Sequence, residues 1–227
     1  MDYHSGFPIA AILLFLLALV NCSPSSVLLS PVPSRMESIE GHARVWLANP
    51  EGTRTKFAFL LHLPDQGSIE VSNVLGHSLY RILITRDAAY LIIPSKRVYW
   101  KGDETEIFDR FLGFPLDLNE MISLISGEWS SRPQERPASA WHLERDAQGR
   151  IMTGQREALR FTVEEFIPDT RFPRSLRFEH PGNSGRLKIL KMEFNRPQGR
   201  DVFAADFLRD YVPKTWEEIQ DILNDED

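Results

Sequence analysis

The stretch that decides the fold is DETEIFDRFLGFPLDLNEMISLISGEW, residues 103–129. Its first half places apolar side chains at helical spacing before a glycine: Ile107, Phe108, Phe111 and Leu112, then Gly113. In its second half, Asp117 and Glu120 have the spacing of a capping box. A second apolar stripe then runs to Gly127: Leu118, Met121, Ile122 and Ile125. The stretch therefore predicts two short amphipathic helices, each ended by a glycine.

The residues on both sides of this stretch alternate between apolar and polar, which is typical of strands. Residues 55–63 show the pattern clearly, since Phe57, Phe59 and Leu61 fall on one face. Turn residues separate about ten or eleven such segments between residues 39 and 197. Short strands joined by short turns are typical of an antiparallel sandwich or barrel. A long sheet with few helices usually curls round them, so we expect an apolar interior between sheet and helices.

The N-terminus carries an apolar run, residues 7–20, which has the length of a signal-peptide core and is short for a membrane-spanning helix. Cys22, the only cysteine in the chain, follows this run. A simple secretory signal would end in small residues, whereas LVNC at residues 19–22 is similar to the lipobox of bacterial lipoproteins. We expect residues 1–21 to be a lipoprotein signal peptide and Cys22 to be the lipid-attachment residue. The Pro/Ser-rich residues 22–38 would be a flexible tether.

Charge is unevenly distributed along the chain, whose formal net charge is −6. Residues 201–227 carry nine acidic side chains against two basic ones, so the rest of the chain is close to neutral. A near-neutral body argues against nucleic-acid binding, which usually needs a concentrated basic face. We expect residues 198–227 to form an acidic, partly helical extension. Its docking face would be an apolar stripe: Trp216, Ile219, Ile222 and Leu223.

The sequence contains no recognisable catalytic or metal-binding motif. Its six histidines are scattered, without the spacing of metal ligands on one helix. Glycine-rich phosphate-binding loops and the G-x-S-x-G nucleophile elbow do not occur. The sequence therefore predicts a protein that is not an enzyme and that needs no cofactor or metal.

A short apolar loop lies between two predicted strands, in SNVLGHS at residues 72–78. The turn residues Asn73 and Gly76 flank Val74 and Leu75, although loop tips are normally polar. Two interpretations stay open at this point. Leu75 can tuck into the sheet interior, or it can protrude to contact acyl chains or a bilayer.

Several of these features together resemble the LolA/LolB family of lipoprotein-localisation proteins. The shared points are the lipobox cysteine Cys22, SNVLG at residues 72–76, LGFPLDLNEMISLISG at residues 112–127 and RLKILKMEF at residues 186–194. Four positions match the family's middle segment: Gly113, Pro115, Leu118 and Gly127. The resemblance covers residues 39–197, which would form a LolB-like half-barrel domain.

The resemblance implies an α+β fold, an unclosed antiparallel β-barrel wrapped around a few short helices that form a lid over an apolar cavity. Acyl chains would lie in this cavity. Its wall would comprise the two helix stripes and one strand face: Phe57, Phe59, Leu61, Phe108, Phe111, Leu112, Leu118, Met121, Ile122 and Ile125. The resemblance also implies a membrane-insertion loop, which would be Val74, Leu75 and Gly76 here.

The implied function is that of a monomeric, lipid-anchored protein on the periplasmic face of the bacterial outer membrane. It would accept acylated lipoproteins or lipids, with a soluble LolA-like carrier as a candidate donor, and insert them into that membrane. The alternative is a structural or assembly lipoprotein that uses the same fold to bind a protein partner.

Overall fold

The computed structural model describes residues 28–48, 54–73, 75–129, 141–181, 183–199 and 202–225, so Cys22 and Val74 lie outside the described residues. The strands are β1 (Leu28–Leu29), β2 (Ser38–Leu47), β3 (Arg54–His62), β4 (Gln66–Ser72), β5 (Ser78–Ile84), β6 (Ala89–Ile93), β7 (Val98–Gly102), β8 (His142–Arg145), β9 (Ile151–Arg156), β10 (Leu159–Phe166), β11 (Pro173–His180), β12 (Asn183–Phe194) and β13 (Val212–Pro213). The α-helices are α1 (Glu104–Leu112), α2 (Leu118–Ser126) and α3 (Trp216–Asn224), and 3-10 helices occupy Pro94–Lys96 and Asp206–Asp210. Within these ranges, no helix has both the length and the apolar character needed to span a membrane.

All the strands belong to one sheet. Its order is β13-β7-β6-β5-β4-β3-β2-β12-β11-β10-β9-β8, and β1 lies alongside β12 in parallel. The strands at the two ends of this order, β13 and β8, do not pair with each other, so the sheet is not closed. Eleven strands have four or more residues. The predicted strand number and the predicted unclosed antiparallel fold with a few short helices are therefore confirmed.

One face of the sheet is apolar and buried, and it forms the inside of the fold. On β2, the buried side chains Ile39, Ala43 and Val45 alternate with more exposed ones. On β3, the buried side chains Phe57 and Phe59 likewise alternate with more exposed ones. Because successive side chains of a strand point to opposite faces, this alternation gives every strand an inner and an outer side.

Both helices predicted in the deciding stretch are present, and their ends follow the predicted chemistry. The side chain of Asp103 accepts a hydrogen bond from the first turn of α1, and Asp117 and Glu120 form a reciprocal capping box at the start of α2. Gly113 and Gly127 end the two helices with φ of 78° and 66°. Glycine adopts this left-handed conformation without the cost that a Cβ atom imposes.

Helix α2 fills one half of the sheet, the half built from β8 to β12. Seven of its nine residues are buried, and it packs against β11. Aromatic rings complete the packing, since Phe114 stacks on Phe178 with ring centres 4.9 Å apart. Trp129 and Trp141 contact Phe161 at 5.4 and 5.2 Å. This half of the fold is therefore a solid core.

A buried carboxylate fastens α2 to the same half. The Glu120 side chain accepts hydrogen bonds from the Asp117 amide at 3.0 Å and from Trp141 Nε1 at 2.7 Å, and it forms an ion pair with Arg156. Arg156 also donates to the Pro115 carbonyl at 2.5 Å. Burial raises the pKa of Glu120, although the hydrogen bonds and Arg156 oppose that rise. The carboxylate thus joins the start of α2 to strand β9.

The C-terminal segment is integrated into the fold. Leu208 packs against Leu83 and Ile92 on the outer face of β5 and β6. Strand β13 then pairs in parallel with β7 at the sheet edge. Helix α3 follows on the inner side, where Ile219 is fully buried with Trp216 packed beside it. The apolar stripe of this helix therefore docks on the body, as the sequence predicts.

The segment before β2 also joins the sheet. Leu28–Leu29 pairs with Lys191 and Met192 of β12. The Ser30 side chain accepts a hydrogen bond from the Phe194 amide at 3.1 Å. Part of the stretch expected to be a tether thus contributes backbone pairing to the fold.

The close approach of α2 to a neighbouring loop generates a first prediction. Gly127→Ala is expected to lower the free energy of unfolding by about 3 kcal/mol, because the left-handed conformation and a clash both penalise a side chain there. The added Cβ would lie 2.5 Å from the Arg171 carbonyl oxygen. Urea denaturation followed by circular dichroism measures the loss.

Gly149→Ala is the matched control for this substitution. Gly149 has a similar φ of 79°, but nothing lies within 4 Å of an added Cβ. We expect it to lose only about 1 kcal/mol. Equal losses at the two glycines would contradict the close packing of Gly127 on Arg171.

The buried carboxylate generates a second prediction. Glu120→Ala is expected to lower the free energy of unfolding by about 3 kcal/mol, because Arg156 and the Trp141 indole would lose their acceptor in a buried site. Glu106→Ala is the control, since the ion pair of Glu106 with Arg110 is about half exposed and spans 3.6 Å. It should cost less than about 0.5 kcal/mol. Similar losses in both variants, measured by denaturant unfolding, would argue against the Glu120 network.

Candidate binding cavity

An open cavity of ≈ 1440 Å³ lies mainly at the half of the sheet built from β2 to β7. Sites for small molecules usually have volumes of about 300–1,000 Å³, so this cavity is large enough for a long ligand. Apolar side chains of the strands and of α1 and α3 border it, and so do charged residues of β2 to β4, among them Arg44, Lys56 and Glu70. The apolar ones include Val45, Phe57, Val71, Tyr80, Leu91, Trp100, Ile107, Phe111, Trp216 and Leu223.

Cross-strand rows of apolar residues form the sheet side of the cavity. One row crosses β2 to β5 and comprises Ala43, Phe57, Val71 and Tyr80. The next row crosses β2 to β7 and comprises Gly41, Phe59, Ile69, Ile82, Leu91 and Trp100, of which only Leu91 and Trp100 border the cavity. Because residues directly opposite on neighbouring strands lie about 5 Å apart, each row is a continuous apolar band.

Helices α1 and α3 border the cavity and contact each other. Phe111 of α1 packs edge-on against Phe57, with ring centres 5.6 Å apart. Trp216 of α3 lies against Trp100 at 5.1 Å. The guanidinium carbon of Arg110 lies 4.8 Å from the centre of the Trp216 ring, which joins the two helices through a cation–π contact.

Tyr80 places a hydroxyl group in this apolar wall. Its ring packs edge-on against Phe111, with centres 6.0 Å apart. Burial raises the pKa of Tyr80 well above its usual range, because the phenolate would be poorly solvated there. The phenol therefore stays neutral at physiological pH, and the strand rows present an uncharged surface to a ligand.

The structure brings two of the predicted cavity residues, Phe57 and Phe111, to the cavity wall. The other residues predicted from β3 and α1 are buried in the core: Phe59, Leu61, Phe108 and Leu112. The α2 stripe is buried, since α2 packs against β11 and its first residue also reaches Gly67 of β4: Leu118, Met121, Ile122 and Ile125. A contact of these eight residues with an acyl chain stays a prediction.

Sequence reasoning missed most of the cavity wall. Val71, Leu91 and Trp100 occupy inner positions of their strands, so the alternation that identified Phe57 could have found them. Trp216 belongs to a stripe predicted to dock on the body. A sequence pattern does not show that a helix docked in this way borders a cavity.

The apolar loop between β4 and β5 protrudes. Leu75 is 78% exposed, which decides between the two interpretations of this loop. The Asn73 side chain accepts hydrogen bonds from the amides of Leu75 and His77, each at 3.0 Å. Gly76 has φ of 83°, and an added Cβ there would meet nothing within 4 Å. The loop therefore holds an apolar side chain in solvent, and its insertion into a membrane stays a prediction.

The loop lies at the same end of the sheet as one rim of the cavity. Because β2 to β5 are consecutive antiparallel strands, the β2–β3 and β4–β5 connections lie at one end. Leu47, Asn73 and Leu79, which flank these connections, border the cavity. Leu75 therefore lies beside the rim.

This architecture can be compared with known proteins. No protein-family model and no curated sequence matches the chain. Among solved structures, a LolA superfamily protein from Nitrosomonas europaea is similar, with a TM-score of 0.50, 12% identity, and coverage of 78% of this chain and 94% of that one. A putative outer membrane lipoprotein-sorting protein domain from Vibrio parahaemolyticus has a TM-score of 0.57, 9% identity, and coverage of 78% and 93%.

This chain has a LolA-like fold. A DUF1329 family protein from Desulfovibrio piger shares it, with a TM-score of 0.51, 10% identity, and coverage of 77% of this chain and 92% of that one. At such identities the likeness concerns the LolA-like fold alone. The ligand of this chain is therefore argued from its own cavity.

Proposed function

We propose that this protein binds acyl chains in its cavity and handles lipoproteins or lipids at the bacterial outer membrane. The observation that carries the proposal is the cavity of ≈ 1440 Å³ between apolar strand rows and two helices. The LolA-like fold supports the same proposal, since one protein that shares it is described as a lipoprotein-sorting domain. A binding role of this kind needs no catalytic group.

The energetics of an acyl chain suit this cavity. Each methylene that leaves water contributes about 0.8 kcal/mol, so a long chain gains most from a wall without ionised groups. The rows through Phe57, Val71 and Leu91 provide an apolar part of the wall, and charged side chains such as Arg54, Lys56 and Glu70 border the rest of the cavity. Because the sheet is open and helices border the cavity, a chain can enter or leave without breaking the sheet's hydrogen bonds. Reversible binding is what a transfer protein requires.

The remaining parts of the proposal concern the chain's position in the cell. Residues 1–21 would be removed as a signal, and Cys22 would carry the lipid that anchors residues 22–38 as a tether. In the family's setting, the neutral Ser23 after the cysteine favours the outer membrane. The protein would act as a monomer that receives acylated cargo from a soluble LolA-like carrier, and the loop with Leu75 would deliver that cargo into the bilayer.

The alternative function is that of a structural or assembly lipoprotein with a protein partner. It is supported by the half of the fold around α2, whose interior is filled by the protein's own side chains. In that case the acidic extension would contact the partner, and added fatty acid would not bind. Binding of an acyl probe separates the two functions.

The cavity proposal generates a third prediction. Val71→Trp is expected to weaken binding of a fluorescent C18 fatty acid at least tenfold in a fluorescence titration, because the larger ring would occupy the middle of the first strand row. Thr162→Trp is the matched control, since Thr162 has nearly the same size and lies on the outer side of β10, between the inner Phe161 and Val163.

The control should bind the probe within about twofold of the wild type. Val71 borders the cavity but is itself only 3% exposed, so circular dichroism must show that the Val71→Trp variant is folded before its binding is compared. Failure of the wild-type protein to bind the probe, or equal weakening in both variants, would overturn the acyl-binding proposal.

The exposed loop generates a fourth prediction. Leu75→Glu is expected to leave unfolding and probe binding unchanged but to slow delivery of an acylated lipoprotein to vesicles, because a carboxylate does not enter a bilayer. Leu75→Met, which keeps an apolar side chain, should deliver at the wild-type rate. A transfer assay measures both. Unchanged delivery by Leu75→Glu, or a loss of folding, would contradict the assigned role of this side chain.

A further inference from the structure

A group of cations that form no ion pair with a described carboxylate lies on three neighbouring strands, and three of them, Arg44, Arg54 and Lys56, also border the cavity. We define this basic face as four cationic side chains around one tryptophan: Arg44, Trp46, Arg54, Lys56 and Lys188. They belong to the neighbouring strands β12, β2 and β3. Their inner-face neighbours Val45, Phe57 and Leu187 are buried, so the alternation of each strand directs the basic face outward.

The strand register brings these side chains together. Lys188 lies directly opposite Arg44, and Arg44 lies directly opposite Lys56. Arg54 is opposite Trp46 in the next row. The guanidinium carbons of Arg44 and Arg54 are 5.5 and 5.2 Å from the centre of the Trp46 ring. Residues that are far apart in sequence therefore form one continuous surface.

Among the described residues, other cations of the same sheet form ion pairs with carboxylates, whereas the cations of the basic face do not. Arg177 and Arg186 are next to it, and both form ion pairs with Glu164, at 2.9 and 2.6 Å. Arg196 pairs with Glu40 at 3.2 Å. In the part of the chain that the structure describes, no carboxylate forms an ion pair with any of the four cations of the basic face.

Like charges directly opposite each other on neighbouring strands destabilise a sheet. The row of Lys188, Arg44 and Lys56 therefore carries a cost that no ion pair with a described carboxylate offsets. An external anionic surface would offset it.

The basic face extends to the end of the sheet at which the cavity has its rim. Trp46 and Arg54 are next to the β2–β3 connection, at the same end of the sheet as the exposed Leu75. Leu47, beside Trp46, borders the cavity at this end. A flat surface that contacts the loop can therefore reach the row of Trp46 and Arg54 as well.

We propose that the basic face docks on an anionic phospholipid surface. Phosphate groups of a bilayer would accept hydrogen bonds from Arg44 and Arg54, and the indole of Trp46 would lie at the level of the head groups, where tryptophan is enriched. An exposed leucine beside the face favours a bilayer over an acidic protein as the occupant. This inference goes beyond the proposed function, because it concerns how the protein lies on a membrane and does not depend on the cargo.

Vesicle co-sedimentation tests the proposal with the mature chain, residues 22–227 with Cys22→Ala, so that neither a covalent acyl group nor the apolar run of residues 7–20 contributes. The vesicles contain either phosphatidylcholine alone or phosphatidylcholine with 30% phosphatidylglycerol. Each cation near an anionic surface contributes about fivefold to the partition coefficient. The triple variant R44Q/R54Q/K56Q is therefore expected to lose about a hundredfold of its preference for the anionic vesicles.

The matched control is K101Q/R145Q/R160Q, which removes the same charge from exposed positions outside the basic face. It should keep the preference of the parent chain at 0.1 M salt, and 1 M salt should abolish that preference, because the Debye length falls from about 10 to 3 Å. Circular dichroism confirms that each variant is folded.

Three outcomes would overturn the docking proposal. They are equal binding of the parent chain to both vesicles, equal losses in the two triple variants, and a parent chain that binds an acidic protein but not anionic vesicles. Binding of the fatty-acid probe is measured on the same proteins. A failure of docking with normal probe binding would leave the proposed function standing, and the reverse result would refute the proposed function alone.

Discussion

The structure depends on one constraint: a single open sheet has a larger apolar face than its helices can cover. Each α-helix has nine residues, which corresponds to a length of about 13 Å. Helix α2 is fixed by the Glu120 network and fills the half from β8 to β12. Helices α1 and α3 only border the half from β2 to β7, where the cavity remains. The same short helices thus give this fold both its stability and its binding space.

The sequence predicts those parts of the fold that depend on local chemistry. Gly113, Gly127 and the pair of Asp117 and Glu120 mark the helix ends, because caps act within a few residues. Local chemistry does not predict which half of the sheet is filled by side chains and which half borders the cavity. This division depends on which strands curl round α2 and on contacts such as that between Trp100 and Trp216, which are far apart in the chain. Local patterns carry no information about such contacts.

The distribution of charge on the surface is subject to the same limit. The net charge outside residues 201–227 is close to neutral. The register of β12, β2 and β3 nevertheless places Lys188, Arg44 and Lys56 in one row. Three cations of the basic face, Arg44, Arg54 and Lys56, also border the cavity, and the exposed Leu75 lies at the same end of the sheet.

The most direct test of the central claim, that the cavity holds acyl chains, is mass spectrometry of the lipids that bind the full-length protein non-covalently when it is purified from bacterial membranes. The account predicts an acyl-bearing species in near-stoichiometric amount, together with capture of an acylated lipoprotein from a soluble carrier. Absence of any bound acyl species, combined with no capture from the carrier, would contradict it.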